Sequence, residues 1–168
     1  MFNRYPVVRL ITAFALCLLA GYADLYLFLP SITWFGPLHK PSFVPSVTVI
    51  YYGIIAVSIL MACGLYIIWN AAQKNKDAQF GVWLVIIGLV LNVGWFFTFF
   101  WAKSVFFSMV VMAILFTIAA AVLYQSIRSA VLAALFVAPC FIVILIVMFT
   151  NILIYLMNPN LPILGFVP

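Results

Sequence analysis

The chain is poor in charge. Of its 168 residues, seven are Lys or Arg and two are Asp or Glu, so 5% are charged where a soluble domain carries about a quarter. Nine such groups cannot cover a globular surface in water, and a water-soluble fold is excluded. Histidine occurs once, at His39, and the only acids are Asp24 and Asp77. There is no Ser/His/Asp set, no HExxH, no paired acidic cluster and no glycine-rich phosphate loop, so hydrolytic, metal and nucleotide chemistry have no motif to rest on. The three cysteines, Cys17, Cys63 and Cys140, are odd in number, far apart and set in apolar runs. They fit neither a disulfide framework nor a zinc site and read as small packing residues. The basic residues are scattered singly and form no stripe for nucleic acid. No metal and no cofactor is implied.

What is abundant is apolar surface: 70% of residues are hydrophobic and the mean hydropathy is +1.37. A spanning helix needs about 20 mainly apolar residues. Five segments qualify, at about 10–29, 46–69, 80–101, 105–124 and 131–157. Long unbroken runs without period-two alternation cannot line a barrel, so the spans are helices. The expected fold is all-α: a single polytopic membrane domain over 1–168, a bundle of five transmembrane helices with a proline-rich first loop. The first span has features of a signal peptide, with Arg4 and Arg9 before an apolar run and Ala20-Gly21-Tyr22-Ala23 resembling a cleavage site. The run continues to Leu29, longer than a signal core, and is read as a retained span.

The connections order the bundle. Ala102 to Ser104 forces the third and fourth spans to be antiparallel neighbours, and Gln125 to Ala130 is nearly as tight. Pro30 to Pro45 holds four prolines together with Trp34, Phe35 and Phe43. It is too aromatic for a solvated loop and too broken by proline for a span, and is expected to fold over the helix ends as a lid. Arg4, Arg9, Lys74, Lys76 and Arg128 fall on one side of the membrane, and Lys40 and Lys103 on the other. The excess predicts a cytoplasmic N-terminus, with the first loop and the C-terminus outside. No internal repeat is visible, which argues against an inverted-repeat transporter.

Polar residues inside the spans need partners. Asp24 lies fifteen residues after Arg9, about 22 Å along a helix, and is expected near the interface, hydrated or paired with Lys40 or His39, with a ligand or proton site as the sharper reading. Asn92 lies well inside the third span, where hydrocarbon satisfies none of its amide groups. Gly88, Asn92, Trp95 and Phe99 share one helical face. Unlike Trp69, Trp83 and Trp101, which lie near span ends, Trp95 is deep. This face is either a helix-packing seam or one wall of a cavity, with Asn92 as polar anchor and Trp95 as stacking surface. In the fifth span, Pro139 removes one helical N–H, and Asn151 and Asn158 follow seven apart.

These spacings match a known pattern. Trp34 to Pro45, with Leu38, Lys40, Pro41 and Phe43 between, resembles the first-loop signature W-x-x-x-L-x-K-P-x-W-x-P-P of the TspO/MBR family, the tryptophan-rich sensory and translocator proteins. Leu89, Asn92, Trp95, Phe99, Phe100 and Lys103 look like that family's L-x-x-N-x-x-W-x-x-x-F-F-x-x-K, and Pro139, Asn151 and Asn158 fall at its Pro and two Asn positions. The resemblance covers nearly the whole chain. It implies a five-helix bundle, often a homodimer in the bilayer, with a cavity beneath the first loop that binds porphyrins, sterols or synthetic aromatic ligands. The ligand-binding residues it implies are Trp34, Lys40, Pro41, Phe43, Pro45, Ile54, Asn92, Trp95, Phe99, Val143 and Asn151.

The departures from the pattern are specific. Ile54 and Val143 stand where the family usually has tryptophans, Ser42-Phe43 replaces a double-aromatic stretch, and Ser46 replaces the second proline. Light-dependent porphyrin breakdown proposed for some relatives uses those tryptophans, so the chain is read as a binding protein for transport, sensing or sequestration rather than an enzyme. Val122 to Arg128 fits a loose sterol-contact pattern that an interfacial Tyr/Arg pair explains as well. The alternative is a structural or assembly subunit without a small-molecule ligand, using small-residue faces at Ala13, Cys17 and Gly21 and at Ala113, Thr117 and Ala121. A bacterial cell membrane is expected rather than a mitochondrial outer membrane.

Overall fold

A computed structural model describes residues 6–161; Arg4, counted above in the charge asymmetry, lies outside them. All regular structure among the described residues is helical. Helix α1 (Pro6–Phe28) runs through a 3-10 turn (Leu29–Ser31) into the short α2 (Ile32–Phe35), and α3 (Val47–Ala71), α4 (Lys76–Phe96), α5 (Val105–Ser129) and α6 (Val131–Met157) follow. Five helical segments are long and apolar enough to cross a membrane. The chain is an integral multi-pass membrane protein, with large apolar side chains such as Leu19, Val90 and Leu135 exposed on its outer surface.

The helices form a closed ring in the order α1, α3, α6, α5, α4, with α3 and α4 also touching. Short links make α4, α5 and α6 successive neighbours. Between α5 and α6 the link is shorter than the sequence suggests: the helical ladder continues past Tyr124 to Ser129, leaving only Ala130 between the helices. Side chains hold the starts of α4 and α5, where the Asn75 side chain accepts from Asp77 N at 2.9 Å and Ser104 Oγ from Phe107 N at 3.3 Å.

Two stripes set the packing. Along α1 the buried residues Arg9, Ala13, Cys17, Gly21, Asp24 and Phe28 recur every three or four positions. Gly21 lets α1 approach α3 closely, since a Cβ there would overlap the Ser58 hydroxyl and lie 3.0 Å from Ser58 Cβ. The small-residue face on α1 is thus used inside the bundle and is not free for assembly. On α5, Ala113 and Thr117 do lie exposed.

The third span departs from a simple helix. After Phe96 the ladder widens to a π-turn over Phe97–Trp101, in which Ala102 N donates to Phe97 O at 2.8 Å. Phe99 and Phe100, adjacent in this turn, are both buried. It ends at Lys103, the described non-glycine residue with a positive φ, 53°, which turns the chain into α5.

The interior falls into two zones. Toward the α3–α4 turn, small and aliphatic residues pack, among them Cys17, Ala62, Leu65, Val85, Val122 and Val137. Toward the first loop the core is aromatic, built on Phe28, Phe35, Trp95, Phe96, Phe99 and Phe100.

Candidate functional site

Between these zones lies a cavity of about 400 Å³ walled by α1, α3, α4, α5, α6 and the first loop. Its wall is mostly aliphatic and aromatic. The polar residues in it are few: Asp24 on α1, Ser58 on α3, Asn92 on α4, and Thr150 and Asn151 on α6. Gly88, Asn92, Trp95 and Phe99, the shared face of the third span, all line it. So do Ile54 of α3, Val143 of α6 and Pro45 of the loop.

Asn92 finds its partner across the bundle. Its Nδ2 donates to Asp24 Oδ2 at 2.6 Å, joining α4 to α1. Asp24 is 3% exposed and its Oδ1 has no partner among the described residues. The expected pairing of Asp24 with Lys40 or His39 is not found. Lys40 instead donates through Nζ to Phe35 O at 2.5 Å and Gly36 O at 2.7 Å, with its ammonium 4.3 Å from the Phe35 ring centroid. A cation at the C-terminal carbonyls of a helix complements the partial negative charge there, so Lys40 fastens the end of α2. Partial desolvation lowers the Lys40 pKa from its ordinary value.

Trp95 is fixed from two sides. It stacks on Phe99 at 5.5 Å and 25° and meets Phe96 and Phe100 edge-on at 4.8 and 5.9 Å. Behind it stands Asn151, fully buried and within 3.2 Å of the Ser108 hydroxyl on α5. With the Asn151 amide oxygen turned toward the indole, it accepts from Trp95 Nε1 at 3.2 Å and from Met109 N at 3.3 Å. A buried indole N–H needs such an acceptor, and the contact pins α4, α5 and α6 together at the aromatic floor of the cavity.

The first loop covers this end. Phe35, Val44 and Pro45 contribute to the wall. Trp34, Lys40, Pro41 and Phe43 do not: Trp34 packs edge-on against Phe99 at 5.4 Å, Pro41 O closes a turn by accepting from Val44 N at 3.1 Å, and Phe43 is 55% exposed. The loop is clasped by Asn158, beyond α6. His39 N donates to Asn158 Oδ1 at 3.1 Å, and Asn158 Nδ2 donates to His39 O at 2.8 Å and Ile154 O at 2.7 Å. The amide therefore reads the backbone of residue 39 from both sides, a role its span-end position alone did not signal. Ser108 was equally hidden, since a serine in an apolar helix usually bonds its own preceding turn.

One side of the wall is open. From near the middle of α3 toward the α3–α4 turn, α3 and α6 touch: Cys140 Sγ donates to Val57 O at 3.7 Å, and a Cβ on Gly64 would come to 3.0 Å from Val137. Toward the first loop, Val49 and Gly53 of α3 and Val143 and Ile146 of α6 line the cavity and are also exposed, so the void comes to the lipid-facing surface along these two helices. Pro139, which gives no N–H to α6, stands one turn before Val143.

The arrangement can enclose an apolar molecule and offer it a few polar groups, the usual design of a small-molecule site. Among the described residues no group of three or more His, Cys, Asp or Glu could hold a metal ion. The chain matches the family model described as TspO/MBR family over residues 13–156. A search of curated proteins found no match.

Proposed function

The chain belongs to the TspO/MBR family, and on that premise we propose that it binds an apolar small molecule, porphyrin- or sterol-like in bulk, within the helix bundle, for transport, sensing or sequestration. The observation that carries this reading is the cavity of about 400 Å³ beneath the first loop, whose size falls in the ~300–1,000 Å³ range of small-molecule sites. Asn92 sits in its wall and Trp95 in its floor. The opening along α3 and α6 offers a route by which a lipid-dissolved molecule enters without crossing water, and the clasped loop limits escape at the bundle end.

The same geometry weighs against a purely structural role, since a packing seam would leave no void along the Gly88–Phe99 face. The exposed Ala113 and Thr117 on α5 suit helix association in lipid, including a homodimer, and are compatible with binding. The test is titration of the purified chain in detergent with protoporphyrin and, separately, a sterol that competes with it, followed by tryptophan quenching. Saturable quenching is expected, lost in Gly88→Phe, which fills the void from α4, and retained in Trp83→Phe, which alters an exposed indole outside the cavity. Equal quenching in wild type and Gly88→Phe refutes binding in the cavity.

A further inference from the structure

An apolar ligand alone leaves one group in the wall without a task. Asp24 places a carboxyl group in an apolar enclosure, and among the described residues the one hydrogen bond its side chain receives is that from Asn92 at 2.6 Å. Oδ1 has no partner among the described residues. The other polar groups of the wall are engaged: Ser58 Oγ donates to Ile54 O and Thr150 Oγ to Ile146 O, each at 2.8 Å, while Asn151 is held by Ser108. No Lys or Arg is among the described residues of the wall. Lys40 is tied to the carbonyls of α2, and Arg9, on the same helix as Asp24, is about 22 Å away along it.

We infer that the occupant of the cavity is an apolar body carrying one protonated amine, and that Asp24 is the group that recognises it. An ammonium N–H placed at Asp24 makes a charge-assisted bond that the wall does not supply, while Asn92 donates to the other oxygen. Oδ1 is itself buried, and the soft terminal torsion of an aspartate lets it turn toward the void without displacing the helix. The opposite charge is disfavoured for the same reason. A ligand carboxylate near Asp24 would set two like charges in a low-dielectric space with no cation between them. Acids of a bound molecule would have to stay at the mouth. The inference rests on the cavity reading above and adds the chemistry of the ligand's polar end.

Three probes of one shape decide it: an anthracene bearing, on the same short linker, an amine, an alcohol or a carboxylic acid. Each is titrated into the full chain in uncharged detergent, and saturable energy transfer from tryptophan to anthracene is read. The amine is expected to bind about tenfold or more tighter than the alcohol, and the acid weakest. Asp24→Asn should bring the amine down to the alcohol's affinity and leave the alcohol unchanged; Asp24→Glu should keep the preference. Equal affinities of amine and alcohol in the wild type overturn the inference, as does an amine preference that survives in Asp24→Asn. If Asp24→Asn does not fold, the wild-type ratio and the Glu variant decide. Saturable binding of all three probes with no ranking leaves the cavity reading standing and removes only the role of Asp24. No saturation by any probe removes both.

Discussion

Replacing Asn92 by leucine removes the one hydrogen bond that the Asp24 side chain receives among the described residues, and its effect on stability can be bounded from the structure. The bond is 2.6 Å long, links α4 to α1 over 68 positions of sequence, and serves a carboxylate that is 3% exposed with its second oxygen unpartnered. Hydrogen bonds between membrane helices average only about 0.6 kcal/mol and reach about 1.7 kcal/mol, because the unfolded helices find other partners in the bilayer. The Asp24–Asn92 bond is short and serves a buried acid, so it belongs at the upper end of that range, and Asn92→Leu should cost about 2 kcal/mol. Asp24→Leu removes the costly acid and leaves a half-buried amide without its partner, which should cost about 1 kcal/mol. The double variant Asp24→Leu/Asn92→Leu leaves no orphan and should be no less stable than Asn92→Leu alone, so the cycle should show a coupling of about 1–2 kcal/mol. Reversible unfolding in mixed lipid–detergent micelles with rising SDS, followed by circular dichroism, measures all four proteins. Additivity within about 0.5 kcal/mol would refute the argument that the pair acts as a unit.

Two further outcomes follow from the geometry. Gly21→Ala should destabilise by about 1–3 kcal/mol, because the added methyl overlaps the Ser58 hydroxyl; thermal unfolding in detergent measures it, and Gly21→Ala combined with Ser58→Ala should recover part of the loss, whereas no recovery would place the clash elsewhere. Single cysteines introduced at Lys40 and Lys76, in a chain whose native cysteines have been replaced, should be labelled by an impermeant maleimide from opposite sides of the membrane, with residue 40 reached from outside. Labelling of both from one side would show that the charge asymmetry has been assigned to the wrong topology.

What the sequence made legible follows from what membrane folding demands locally. The number of spans could be read because hydrocarbon requires about 20 apolar residues per crossing and excludes other backbone solutions. The face Gly88, Asn92, Trp95 and Phe99 could be read because helical period alone puts those residues together. The partners of polar groups could not. Asp24 was expected to meet Lys40 or His39, which lie near it in sequence, and it meets Asn92 because the ring order brings α1 against α4. Lys40 was drawn instead to carbonyls freed at the end of α2, a helix of four residues that no periodic pattern announces. The small-residue stripe on α1 was legible as a stripe, but whether it faces a second chain or α3 depends on packing: Gly21 meets Ser58. The π-turn over Phe97–Trp101 was hidden as well, since nothing in the residue pattern marks an extra residue in a helical turn.

The departures from the family pattern gain a physical meaning from the open side of the cavity. Ile54 and Val143, where the resemblance leads one to expect tryptophans, stand on α3 and α6, the two helices along which the void comes to the lipid-facing surface. Both side chains line the void, and Val143 is also 41% exposed to the outer surface. Two indoles at these positions would present flat aromatic faces to a planar ligand. Aliphatic side chains remove those faces, so on the proposed binding reading selection rests on the groups that remain, Trp95 in the floor and the Asp24 carboxyl beside Asn92. On that reading a cavity with aliphatic walls and an acid bonded only to Asn92 among the described residues suits an apolar molecule with one cationic end that reaches Asp24 with its head, while the acid groups of a bound porphyrin stay at the mouth.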